Sequence, residues 1–233
     1  MHLDQARRLV ATRFPQALGA VLAGSSATGQ ARATSDLDLA VLVPNGAYRE
    51  TIRFESRVAE LFVHTPDTLP ELFAAGRADR RGVMQTMYAE GLVLLDPEQL
   101  VAGARATAAT ELAAGPPQLT PGQRESLRYG LTEALDDLAD STDPDERAVL
   151  AGGLLRSAAD LLCDHHRAWT GNGKWLPRRL LIADPHLGAT LLAAHRAAAT
   201  DPTALVRAGG EVLARTGGPL REGFRREWSA VGG

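Results

Sequence analysis

The run Asp36-Leu37-Asp38-Leu39-Ala40-Val41-Leu42-Val43 constrains this 233-residue chain more than any other stretch. Alternate residues of a strand face opposite sides, so Asp36 and Asp38 share one face while Leu37, Leu39, Val41 and Val43 share the other. The two acidic α-carbons stand roughly 6.6 Å apart at ~3.3 Å rise per residue. Carboxylates drawn within ~4 Å of each other repel by several kcal/mol at an effective dielectric of about 20. A divalent cation relieves that repulsion, and oxygen ligands of this kind suit magnesium or manganese, which share their sites with substrate phosphates.

Upstream, the apolar run Ala20-Val21-Leu22-Ala23 ends at Gly24-Ser25, and small residues continue to Gly29, enough for a helical turn or two. A strand feeding a helix N-terminus presents free N–H groups and a positive dipole end, where a triphosphate can sit. Gly24 lets the backbone approach closely, and the hydroxyls of Ser25 and Ser35 can donate to phosphate oxygens.

Gly-Ser, ten residues, then Asp-x-Asp inside an apolar strand resembles the signature of the DNA polymerase β-type nucleotidyltransferase superfamily. The finer set Gly24-Ser25, Gly29 and Ser35-Asp36-Leu37-Asp38-Leu39 is similar to the branch holding the kanamycin-type and streptomycin-type aminoglycoside nucleotidyltransferases and the minimal nucleotidyltransferases. The resemblance rests on residues 24–38 and implies a third metal-site carboxylate on a neighbouring strand. Glu60 is the candidate, an acid in the apolar run Val58-Ala59-Glu60-Leu61-Phe62-Val63 that reads as a strand covered on both faces. Burying it unpaired is costly, and a bound cation is the simplest compensation; the alternative is a solvated strand face. Glu50 and Glu55 are weaker contenders in what reads as a polar connector.

The mechanism so implied places two magnesium ions, or manganese in their stead, on Asp36, Asp38 and Glu60. One lies under the triphosphate of a nucleoside triphosphate, ATP by default, and one lowers the acceptor hydroxyl's pKa. Gly24, Ser25 and Ser35 hold the β,γ-phosphates while the hydroxyl attacks the α-phosphorus in line and pyrophosphate leaves.

The net charge of −3 advertises no broad basic surface, which disfavours polymerase-like or tRNA-modifying roles. Cys163 is the only cysteine, which excludes a disulfide framework and a cysteine-based zinc site. No apolar run approaches transmembrane length and the N-terminus lacks a signal-peptide core, so no membrane association is expected and the cytoplasm is the default location.

Organisation follows from periodicity. An amphipathic helix with Leu3, Ala6, Val10 and Phe14 near one face ends at Pro15, and strands are expected near 17–23, 36–43, 58–63 and 92–95. Asp67 or Thr68 caps a helix to about 78, and another runs from about 80 to Gly91. The predicted fold class is α+β: a polymerase β-like nucleotidyltransferase head over 1–96, a linking helix and Pro/Gly linker over 97–116, and an all-α helical domain over 117–233. In that domain Thr120-Pro121-Gly122-Gln123 reads as a capping box, opening a helix with Leu127, Leu131, Leu135 and Leu138 in a stripe. Asp143-Pro144-Asp145-Glu146 opens a second helix reaching about Trp169, and shorter ones are expected near 177–183, 186–199, 202–215 and 219–229.

Chemistry-bearing residues of the helical half are fewer. Lys174 sits in the loop Gly171-Asn172-Gly173-Lys174-Trp175 and, by resemblance to related helical domains, is a candidate to neutralise the β- or γ-phosphate. Trp169 and Trp175 fit either base stacking or a packed core. Glu133, Asp136, Asp137 and Asp140 line one helix side, and the resemblance makes Glu133 or Asp136 a candidate general base. Adjacent His165 and His166 point apart on a helix and make a poor metal pair.

The resemblance implies as acceptor a hydroxyl on an aminoglycoside-like small molecule, with a homodimer as one arrangement of relatives. The alternatives are a minimal nucleotidyltransferase with a HEPN-type helical domain acting on protein or RNA as a toxin–antitoxin element, a nucleic-acid tailing enzyme, and a nucleotide-binding regulator. HEPN ribonuclease activity is disfavoured, because between Arg179 and His186 Pro185 interrupts the helix that motif needs.

Overall fold

The computed structural model describes residues 2–27 and 35–226, and its backbone contacts divide the chain into two compact units, Met1–Pro116 and Pro117–Gly233. Gly29, one of the small residues of the phosphate-loop reading, lies outside the described residues.

The first unit is built on a five-stranded mixed sheet of order β3-β4-β2-β1-β5, from β1 (Gly19–Ala23), β2 (Leu37–Leu42), β3 (Tyr48–Phe54), β4 (Arg57–His64) and β5 (Leu92–Leu95). Only β2 and β4 pair in parallel; the other neighbours are antiparallel. Period-two alternation sorts the strands between two cores. Ala20, Leu22, Leu37, Leu39, Val41, Ala59, Leu61 and Val63 pack with Ala6, Leu9, Val10 and Phe14 of and just beyond α1 (His2–Arg13). On the opposite face Val21, Ala23, Ala40 and Leu42 meet α3 (Leu69–Ala78), α4 (Val83–Glu90) and α5 (Leu100–Ala114). The stretch read as a linking helix is α5, and its Val101, Ala104 and Ala108 are buried in this second core.

The second unit is all helical: α6 (Pro121–Asp140), α7 (Pro144–His165), α8 (Trp175–Ala183), α9 (Pro185–Ala197) and α10 (Thr203–Arg215). Its core joins Leu131, Leu135 and Leu138 to Leu154, Leu161 and Leu162, with Leu191, Leu205 and Val212 from the shorter helices. The expected capping box is formed: the Gln123 N–H donates to Thr120 Oγ1, and Gln123 Oε1 accepts from the Thr120 N–H. This α+β head followed by helices is the predicted fold class.

Two expectations are corrected. Residues 48–54, read as a polar connector, form edge strand β3, whose Arg49, Glu50 and Arg53 supply the charge that protects a sheet edge. The helix expected near 219–229 is absent over 219–226: Gly217, Gly218 and Gly223 take positive φ of 115°, 82° and 83°, and Pro219 lies among them. There the Leu220 N–H donates to Thr132 Oγ1 and Phe224 stacks on Tyr129 at 4.2 Å, so the segment lies along α6 instead of coiling.

Candidate active site

The site begins where β1 ends. Ala23 pairs with Asp38, the chain turns at Gly24 with φ +65°, and a single helical turn, α2 (Gly24–Ala27), follows. A Cβ on Gly24 would stand 2.0 Å from Asp38 Oδ2, so the Asp38 carboxylate occupies the space that any side chain at 24 would take. Gly24 is therefore needed twice, for its left-handed backbone and for what lies against it.

Asp38 is half-buried on the sheet face shared with Ala40 and Leu42, and its in-register neighbour across the parallel β2–β4 pair is Glu60. Asp36 stands exposed just before β2. Its backbone carbonyl accepts from Ser26 Oγ at 3.0 Å, and His2 Nδ1 lies 3.1 Å from the same hydroxyl. Because that hydroxyl gives its hydrogen to the carbonyl, His2 Nδ1 is the donor to it; burial first, and the nearby Arg57 charge second, hold the His2 imidazole below its ordinary pKa. Arg57, only 8% exposed, donates through Nη1 to the Ser35 carbonyl at 3.1 Å. Thus α2 and β4 both clamp the backbone entering β2. Ser25 is half-buried within the α2 turn.

Glu60 is half-buried, not covered on both faces: β4 alternates buried and partly exposed residues. Its carboxylate already has a cation, Arg49 Nη2 at 3.0 Å. Glu50 and Glu55 face elsewhere, paired to Arg13 and Arg8 of α1 at 2.9 and 3.0 Å. With Glu60 turned to Arg49, no three His, Cys, Asp or Glu side chains among the described residues are gathered about a metal position. The donors present still suit a hard divalent cation: oxygens only, two carboxylates two residues apart and a third on the adjoining strand. Sequence reasoning missed Ser26, Arg49 and Arg57. A second serine after Gly-Ser was the only signal for any of them, because partners across a sheet are invisible without the register.

The helical unit holds the other candidates. Lys174 is exposed at the N-cap of α8, following Gly173 at φ +50°. Arg156 of α7 fixes that loop by donating to the Gly171 carbonyl at 2.9 Å and to Asn172 Oδ1. Trp169 is buried, whereas Trp175 is partly exposed with the guanidinium groups of Arg178 and Arg179 at 5.0 and 5.7 Å from its ring. Glu133 and Asp136 both pair with Arg221, at 3.2 and 2.5 Å. Arg179 and His186 fall on separate helices, α8 and α9, with Asp184 capping the second.

Residues 3–81 match the family model described as a nucleotidyltransferase domain, roughly a third of the chain. Domains of that family generally use divalent metals and take a nucleoside triphosphate. A solved structure of a nucleotidyltransferase-like protein from Exiguobacterium sibiricum 255-15 is similar at 14% identity, covering 91% of this chain and 78% of that one with a TM-score of 0.36. No curated protein matches the sequence.

Proposed function

We propose that this chain, a nucleotidyltransferase enzyme by its residues 3–81, moves a nucleoside monophosphate, AMP in the first instance, onto the hydroxyl of an aminoglycoside-like small molecule and releases pyrophosphate. The observation that supports this best is Asp38 seated against Gly24 with Glu60 in register beside it. Asp36, Asp38 and Glu60 would hold magnesium, or manganese. When bound, such ions neutralise triphosphate charge and lower the pKa of an acceptor hydroxyl. Gly24, with no side chain, lets the backbone of the turn approach the phosphates, and Ser25 and Ser35 donate to them; the clamps of Ser26 on Asp36 and of Arg57 on Ser35 fix where those groups stand. The small-molecule acceptor is favoured over nucleic acid by the net charge of −3.

The test is incubation with magnesium, each α-labelled nucleoside triphosphate, and a panel of aminoglycosides, proteins and short RNAs. Label on an aminoglycoside is the expected outcome; label only on protein or RNA overturns the acceptor, and nucleotide binding without pyrophosphate release overturns catalysis. Asp38→Asn should abolish transfer with an unchanged circular dichroism spectrum, and full turnover in that variant refutes the metal assignment.

A further inference from the structure

Arg49 and Glu60 are diagonal neighbours on one face of the β3–β4 ladder, for Arg49 stands opposite Phe62 and Thr51 opposite Glu60. The Arg49 guanidinium is held at both ends of its reach. Nη2 donates to Glu60 Oε2 at 3.0 Å, and the carbon between the nitrogens lies 4.8 Å from the Phe62 ring centroid. Next to this pair, in register, is Asp38. Without a counter-charge, two carboxylates on adjacent parallel strands would repel; Arg49 supplies that charge from within the protein.

Building on the metal-site reading above, we infer that Arg49 is the resident counter-ion of Glu60 and a positioning residue of the nucleotidyl-transfer centre. It holds the third carboxylate on itself when no metal is bound and yields it when a divalent cation arrives. Two cations then compete for one carboxylate, so Arg49 weakens metal binding. The size of the effect follows from exposure. The Arg49 side chain is 64% exposed and that of Glu60 30%, so solvent screens the pair and its removal should tighten metal binding only about two- to fivefold.

The experiment is manganese titration, read by the electron paramagnetic resonance of the free ion, on the full chain and on Arg49→Gln, Glu60→Gln, the double variant and Asp38→Asn. Arg49→Gln should bind manganese about two- to fivefold tighter, Glu60→Gln more weakly than the parent, and adding Arg49→Gln to Glu60→Gln should change nothing. Arg49→Lys, which keeps the charge but loses the planar fork and the ring stacking, should fall between parent and Arg49→Gln; it decides the matter if the glutamine variant does not fold. Equal or weaker binding in the Arg49 variants, or the same gain with and without Glu60, overturns the inference. Loss of manganese in Asp38→Asn together with no change in Arg49→Gln removes only the role of Arg49. Parent-like binding in Asp38→Asn removes the metal site itself.

Discussion

Gly24 is the residue on which the site depends most, because two independent demands meet there. Its φ of +65° lies in the left-handed region, which costs a non-glycine residue about 1 kcal/mol. The position of its absent Cβ is taken by the Asp38 carboxylate, whose Cγ is also only 3.1 Å away. Asp38 is too short to retreat far, so Gly24→Ala must displace either the carboxylate or the turn. Gly24→Ala should therefore lower the unfolding free energy of the first unit by about 1 kcal/mol, yet reduce nucleotidyl transfer by at least about tenfold. Comparing denaturant unfolding with label transfer separates the two effects. Transfer falling no further than the folded fraction would show that the close approach has no catalytic consequence.

Among the elements, those whose signals are local were legible and those whose causes lie across the fold were not. Strand β2 could be read from its alternation, and α6 from its cap, because a strand face and a capping box are written in adjacent residues. Thr120 and Gln123 exchange two backbone-to-side-chain hydrogen bonds, of 3.3 and 2.9 Å, beside a hydroxyl-to-amide contact of 3.1 Å, so Thr120→Ala should cost about 1 kcal/mol in thermal or denaturant unfolding of the helical unit. Gln123→Ala should add little once Thr120 is gone, and full additivity would mean that the two bonds do not act as one cap. Edge strand β3 escaped notice because Arg49, Glu50 and Arg53 make it polar, a requirement of its edge position that only the finished sheet reveals. Likewise the segment after α10 takes its course from Arg128, which donates to the Gly217 and Gly218 carbonyls, and from Thr132 and Tyr129, all some ninety residues earlier in the chain. The candidate site divides in the same way. Asp36, Asp38 and Gly24 stand out in one short stretch, whereas the partnership of Glu60 with Arg49 depends on a register that no single strand encodes.

At the scale of the whole molecule, two units with separate cores imply two stabilities, and each unit carries a buried titratable group. In the first unit His64 is fully buried, its Nε2 2.7 Å from the Tyr88 hydroxyl and its Nδ1 3.0 Å from the Phe62 carbonyl, an arrangement that only the neutral ring satisfies with Tyr88 donating. Burial pulls the His64 pKa down to about 4 from 6.5, and it also holds the Tyr88 phenol well above its ordinary value. The folded state thus binds this proton more weakly than the unfolded chain, so stability is lost as pH falls below 6.5 and the loss levels off below about 4. Linkage puts it at about 2 kcal/mol at pH 5 and about 3 kcal/mol below pH 4. In the second unit Asp184 is held below its usual 3.8, chiefly by the Leu187 N–H; burial opposes this, and Arg215 and then His166 add to the lowering. Its contribution is intact above pH 3.8 and disappears only as pH falls further. All three tryptophans of the chain, Trp169, Trp175 and Trp228, lie in the sequence of the second unit, so their fluorescence follows that unit while circular dichroism follows both. Denaturant unfolding at pH 7.5 and pH 5 should then show the tryptophan-silent part of the dichroism transition weakening by about 2 kcal/mol, with the fluorescence transition nearly fixed. His64→Gln, which keeps an acceptor for Tyr88 without titrating, should remove most of that pH dependence and leave only the share of His2, whose pKa is also lowered. A variant that weakens with acid in parallel with the parent, or a fluorescence transition that shifts as far as the silent one, would show that His64 does not set the acid limit of the first unit.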